Sequence, residues 1–522
     1  MESAELVLAL LIAVAALVTI ARRVGVAYPI LLVIGGLLLG LVPGIPRFEV
    51  DPELIFLVVL PPILYVAAFF TPVRSLRANI GTIGSLAFGL VVASALAVAV
   101  VAHALIPGIP WAIALLLGAI VSPPDEVAAT AIASRLPVPR RILSILEGES
   151  LLNDATALTL YSLALAAAMS GTFSPTSALG TFVVYAVGGY VIGVGVGWLI
   201  AQIRSRLDDT PVEITVSLLT PYAAFLPAQA LGVSGVIATV VAGVYLGRRL
   251  SRISRADTRL AGRAVWEILN FLLNGFVFLL TGLEVPLLLR QLFPAQVVQL
   301  VAIGVAVTIA LVAVRALWIF ASAYRPRILR RGRLAPHRLA QALVLSWAGM
   351  RGVVSLAVAL ALPASLPDGA SFPSREAVIV VTLTVIVLTL VGQGLTLPGL
   401  IRAVRLGPDS EVHDEEANAR QRLLEAASAR VDQLYPVWPG HRPLLDQLRE
   451  QYRHRSEHVD RQRDAARDGE DRELIEHREI RRTVIDSERE ALLRLRAQGA
   501  IDDDVLRKLE REIDLEEQRM DA

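Results

Sequence analysis

Runs of about twenty apolar residues, the length that crosses a bilayer as a helix, fill the first 405 positions of this chain. Short clusters of Pro, Gly and Arg punctuate them. Thirteen segments emerge, near 3–22, 27–42, 53–70, 79–106, 111–134, 141–168, 179–203, 212–230, 233–248, 262–290, 294–324, 337–363 and 374–404. With 55% hydrophobic residues, the composition is that of an all-α polytopic membrane protein. The composition breaks once, near Gly407-Pro408, dividing a transmembrane domain (1–405) from a charged helical tail (406–522).

The net charge of +1 hides an asymmetry: the first 405 residues carry 28 basic and 18 acidic side chains, the tail 21 and 30. Within the membrane part the basic residues alternate in position. Arg22-Arg23, Arg74 and Arg77, Arg135 to Arg141, Arg204 and Arg206, Arg248 to Arg263, and Arg325 to Arg338 fall in every second loop. The intervening loops hold only Arg47, Arg290 and Arg375. The basic side is cytoplasmic by the positive-inside rule. Thirteen spans then place the N-terminus outside and the tail in the cytoplasm. Glu2 and Glu5 precede the first apolar run and Arg22-Arg23 follow it, the reverse of a signal peptide. The tail reads as helices from Leu423 to Leu434, from Pro443 to Arg496 with a break at Asp468-Gly469, and after Asp502 to Asp504, as a solvated bundle or a regulatory module.

Composition also excludes. No cysteine is present, so neither disulfides nor thiolate metal sites can form. Seven scattered histidines make no zinc or haem centre. The single lysine, Lys508, follows no glycine-rich phosphate loop. Basic residues in short loops form no nucleic-acid stripe. Neither a cofactor nor a nucleophile–base constellation is indicated, so the chain reads as no enzyme.

Polar groups deep in the apolar runs carry the functional signal. Asp125 lies in Ser122-Pro-Pro-Asp-Glu-Val-Ala, and Asp154 in Gly148-Glu-Ser-Leu-Leu-Asn-Asp-Ala. An ionised side chain at membrane depth costs roughly 2.5–3.5 kcal/mol on insertion scales, so such groups usually handle ions or protons. Pro123 and Pro124 break the fifth segment; Gly349, Arg351 and Gly352 interrupt the twelfth. Unwound backbone is tolerated at that depth only where it lines a cavity or packs within protein. Each interruption is fifth in a six-helix half (spans 1–6 and 8–13), and an offset of seven inverts their topology. Broken helices at matching places in inverted repeats, crossing near the midplane, mark a secondary transporter's site.

Residues four apart share a helix face. Ser150 and Asp154 therefore point one way, Glu149 and Asn153 another. The first face offers oxygens to a hard monovalent cation, with Asp125 and the carbonyls near Pro123-Pro124. The second face can pair with a buried base, for which Arg351 is the obvious partner. Burial disfavours a charged carboxylate and a nearby cation favours it, so one group holds either a proton or a cation. Around these residues, Glu126 reads as facing another partner, Glu147 as an interfacial charge, and Arg315 as snorkelling from the cytoplasmic end of span eleven. Asn270 and Asn274 share a face of span ten, as packing polar groups or part of the crossing.

These segments resemble the signature segments of bacterial sodium/proton exchangers of the NhaP/NHE-like family. Trp347-Ala-Gly-Met-Arg-Gly-Val-Val-Ser, Leu60-Pro-Pro-Ile-Leu-Tyr and Asn270-Phe-Leu-Leu-Asn-Gly add to the resemblance, which runs from about residue 5 to 405. It implies a thirteen-helix homodimer with an elevator-like movement and a role in pH homeostasis. It implies that Asp154 binds Na+ or H+, with Ser150 and Asp125 as co-ligands, and that Glu149 and Arg351 form a structural ion pair. The Asn153-Asp154 pair goes with electroneutral exchange in that family. Two positions depart from it: Pro124 stands where a Thr is frequent, and Val66 where many members have an acid. Potassium/proton exchange is the alternative within transport, and a cation channel the alternative outside it.

Overall fold

The computed structural model describes residues 2–42, 57–134, 136, 138–170, 175–290, 293–328, 336–363, 365, 371–406, 410–465, 472–498, 500 and 502–521. Arg47, Arg135, the Gly407-Pro408 boundary and the Asp468-Gly469 break lie outside them. The described residues are helical, with no strand and one isolated bridge between Ser365 and Ser371. They divide into two compact units, Met1–Pro408 and Asp409–Ala522.

The first unit begins with α1 (Glu2–Val24) and α2 (Tyr28–Leu41). They are joined through Gly25, whose φ of +74° lets the chain turn tightly. α3 (Leu60–Phe70) opens on Pro61-Pro62, where a missing N–H leaves no bond unmade. α4 (Ile80–Leu105) contains a π turn at Ser85–Leu90. The next run is split into α5 (Trp111–Val121) and α6 (Glu126–Ala133). Then come α7 (Arg140–Ser170), α8 (Pro175–Arg204), α9 (Thr210–Ala230), α10 (Gly235–Gly247), α11 (Ala256–Leu289) and α12 (Pro294–Ile328). A second split run gives α13 (Pro336–Trp347) and α14 (Val353–Leu360). α15 (Arg375–Ala403) closes the unit, with a π turn at Leu388–Gln393.

Among the described residues, seven stretches are long and apolar enough to cross a membrane: α4, the α5–α6 run, α7, most of α8, most of α11, most of α12, and α15. Their burial differs sharply. The α5–α6 run is 72% buried within the protein, whereas the α8 stretch is 17% and that of α12 22%. The interrupted run therefore lies at the centre. α8 turns Val183, Val187, Val191 and Trp198 outward, an apolar face that suits lipid.

Lipid tails are as apolar as leucine, so helices associate here by close packing. α2 and α11 illustrate this. A Cβ on Gly36 would fall on the Leu279 carbonyl, and one on Gly282 would fall on the Val33 carbonyl.

In the second unit α16 (Ser410–Leu434) pairs with α17 (Arg442–Ala465), and α18 (Arg472–Ala497) with α19 (Asp503–Asp521). Gln421 and Ser456 exchange bonds of 2.9 and 3.1 Å across the first hairpin. Arg489 spans the second, 2.8 Å from both Asp514 and Glu517. The Asp502 carboxylate caps α19 by accepting from the Asp504 and Val505 amides. Few apolar side chains are buried, among them Val431, Leu445, Ile485 and Leu492.

The glycine contact makes a stability test. Gly36→Leu forces α2 from α11, and overpacking of this kind costs roughly 1–3 kcal/mol. A lower melting temperature in detergent is expected, while Gly81→Ala, with open space at its Cβ, should melt like the parent.

Candidate functional site

The two interruptions cross. Between α5 and α6 the chain is non-helical at Pro123 to Asp125, and between α13 and α14 from Ala348 to Gly352. The Asp125 amide donates to the Met350 carbonyl at 2.7 Å, joining one break to the other. Asp125 is also the N-cap of α6: its Oδ1 accepts from the Val127 amide at 2.8 Å. Its carboxylate lies over Gly352, where a Cβ would overlap Oδ2, so only glycine leaves room for it. Arg351, 1% exposed, donates through Nε to the Val121 carbonyl at 3.0 Å, at the C-terminus of α5. A cation there also faces the negative end of the helix dipole. Its guanidinium reaches the Gly349 carbonyl too, and its amide donates to Thr389 Oγ1 at 3.1 Å, inside the π turn of α15.

α7 passes this crossing with its two polar faces. Ser150 and Asp154 line a cavity of ≈ 40 Å³ together with Pro123, Pro124, Asp125 and Gly352. That is space for about two or three water-sized guests. Apolar walls come from α3 (Ile63, Leu64, Ala67). The other face is occupied. Asn153 donates through Nδ2 to the Pro124 carbonyl at 3.2 Å, satisfying part of the unwound backbone. Glu149, 1% exposed, receives two bonds from Arg315, 2.5 Å to Oε1 and 2.9 Å to Oε2.

The sodium/hydrogen exchanger transmembrane family model matches residues 8–403. An uncharacterized Na+/H+ exchanger of Mycobacterium tuberculosis is 37% identical over 98% of this chain and 95% of its own length. The chain belongs to the sodium/hydrogen exchanger family. It is a multi-pass cation:proton antiporter of a transporter family, not an enzyme. The uncharacterized Na+/H+ exchanger YjcE of Escherichia coli is 31% identical over 98% of the exchanger and 97% of YjcE. The sodium, potassium, lithium and rubidium/H+ antiporter of Bacillus subtilis is 33% identical over 71% of the exchanger and 57% of its own length. The sodium proton antiporter MjNhaP1 from Methanocaldococcus jannaschii shares the fold, with a TM-score of 0.60 at 20% identity over 78% of the exchanger and 99% of that chain.

Several expected residues are brought together, and others are not. Asp154, Asp125, Ser150, Pro124, Pro123 and Gly352 of the exchanger share the cavity. Asn153 sits beside it, holding the break rather than lining the space, and Gly349 and Arg351 lie outside its lining. The expected Glu149–Arg351 ion pair is corrected. Glu149 pairs with Arg315, while Arg351 donates to backbone carbonyls. Arg315 does not snorkel. α12 extends to Ile328, leaving Arg315 about 20 Å from its end at 1.5 Å per residue. Its Nε also donates to the Leu345 carbonyl at 3.0 Å, and Gly349, lacking a Cβ, lets its stem pass. Glu126 was expected to face elsewhere, yet it lines the cavity. Sequence reasoning left Asn274 between two roles; it too lines the cavity, on α11.

Removing one partner of a buried pair strands the other charge and costs about 3–5 kcal/mol. Arg315→Ala is therefore expected to collapse the folded yield of the exchanger. Glu149→Gln combined with Arg315→Gln should recover part of it, as read by monodisperse protein on size exclusion.

Proposed function

We propose that the exchanger swaps a monovalent cation, Na+ foremost, for H+ at Asp154, with Asp125 and Ser150 as co-ligands. The observation that carries this reading is the shared cavity. Of the three carboxylates that line it, two from different elements, Asp154 on α7 and Asp125 at the break before α6, meet with the Ser150 hydroxyl in ≈ 40 Å³, beside Glu126. Oxygen ligands of this kind suit a hard cation.

Exchange follows from competition. A carboxylate removed from water favours its neutral form, and a cation alongside favours the charged one. The two cargoes therefore displace one another at Asp154. Asn153, engaged with the Pro124 carbonyl, forms with Asp154 the Asn-Asp pair that the family resemblance links to electroneutral turnover. Asp125 both caps α6 and faces the cavity, so loss of its charge disturbs the crossing as well as the ligand set.

The wider reading is a thirteen-span protein of inverted repeats in the bacterial plasma membrane, its N-terminus outside and its acidic tail cytoplasmic. Charge alternation between loops supports the orientation. A homodimer fits the outward apolar face of α8. Potassium/proton exchange is the second reading. A Bacillus subtilis relative is named for sodium, potassium, lithium and rubidium, and carboxylate with hydroxyl oxygens does not by itself fix ion size.

In acid-loaded proteoliposomes, Asp154→Asn is expected to abolish cation-dependent proton movement without loss of folded yield. Exchange at the parental rate by that variant refutes the assignment. Adding sodium, lithium or potassium salts to the parent ranks the ions and decides between the two readings.

A further inference from the structure

We infer that Asn274 supplies a neutral oxygen ligand to the transported cation and so sets cation affinity apart from proton affinity; this rests on the exchange reading above. Asn274 stands on α11, away from the elements that carry the cavity's three carboxylates, Asp125, Glu126 and Asp154, yet lines the same cavity. It is 1% exposed. Its Nδ2 donates to both the backbone carbonyl and the side-chain oxygen of Asn270, each at 2.8 Å. The Asn270 backbone carbonyl can only accept, so it holds the Asn274 amide with nitrogen toward Asn270, and the Asn270 side chain turns its own oxygen to meet it. The oxygen is left over. Oδ1 has no hydrogen-bond partner among the described residues, and a buried amide oxygen without one is costly.

A cation in the cavity removes that cost. The Oδ1 of Asn153 and the Oε2 of Glu126 are likewise without a partner among the described residues; Asn153 does not line the cavity, and Glu126 does so as a carboxylate, which takes a proton as well as a cation. Ser150 and Ser355 do line it, with hydroxyls that rotate to donate or accept. Asn274, its nitrogen committed, presents only an acceptor. The distinction matters for exchange. A carboxylate attracts H+ and a cation alike, whereas an amide oxygen ligates a cation and stays unprotonated near neutral pH. Removing Oδ1 therefore weakens the cation and leaves protonation of the carboxylates in place. Because α11 carries none of the cavity's carboxylates, this oxygen also completes the ligand set only where α7 and the crossing face α11.

The test uses full-length exchanger in proteoliposomes with NaCl, LiCl or KCl as the probe. Asn274→Leu, close in volume and without an oxygen, is expected to raise the apparent KM for the preferred cation about tenfold, the weight of one lost ligand. Its maximal rate should stay near the parent's, with a narrowed preference among the three ions. The smaller Asn274→Ala should show the same rise, and Asn274→Asp, which keeps an oxygen, should restore a low KM. Salt-dependent thermal stabilisation in detergent should fall in the Leu and Ala variants. Parental KM values in both the Leu and Ala variants overturn the inference. So does a lower maximal rate at unchanged KM in all three substitutions, the signature of a structural role. Parent and Asp154→Asn vesicles run alongside: exchange present in the first and lost in the second upholds the exchange reading, and the KM series then decides the ligand alone.

Discussion

The fold depends on satisfying unwound backbone at membrane depth. A chain that interrupts two spans frees amides and carbonyls where no water competes for them. Here the breaks satisfy each other. The Asp125 amide meets the Met350 carbonyl, and Arg351 meets Val121. Asn153 meets Pro124, and the Asp125 side chain caps the helix it precedes. Each of these bonds ties separate elements or fixes a helix start, so the same contacts that permit the breaks also lock them into one crossing. The cavity is what remains where α7, α11 and α3 close around that crossing.

Charge is distributed around it with a division of labour. Glu149 and Arg315 share one carboxylate–guanidinium fork that ties α7 to α12, and Arg315 reaches on to the Leu345 carbonyl of α13. That leaves Arg351 to serve the backbone. A pair this deep adds little net stability over an apolar core, but it fixes which faces meet. By fixing the rotation of α7, it directs Ser150 and Asp154 into the cavity one residue step away.

Local pattern made much of this legible. Pro123-Pro124 and Gly349-Gly352 announce their breaks by backbone chemistry alone, and the four-residue spacing of Ser150 and Asp154 puts both on one face. The family resemblance pointed to the same segments. Partner choice was not legible. Arg315 sits in an unbroken apolar helix, and its depth depends on where α12 ends, which hydropathy placed short of Ile328. Arg351, adjacent to broken backbone, looked like the natural partner for Glu149. Its actual acceptors are carbonyls, which leave no trace in side-chain sequence. Asn274 carried a weak signal, its four-residue spacing from Asn270, but which amide atom is left without a partner is a tertiary fact.

Gly352 holds Asp125 by absence. A missing methyl at 352 makes the berth for the carboxylate. Such a berth is asymmetric under drift. Asp125 can shrink without colliding with anything at 352, but position 352 cannot grow while Asp125 keeps its place. Lineages that reshape the ion's surroundings from this scaffold must therefore move first at the carboxylate or along α7, and the glycine can follow only after the acid has gone.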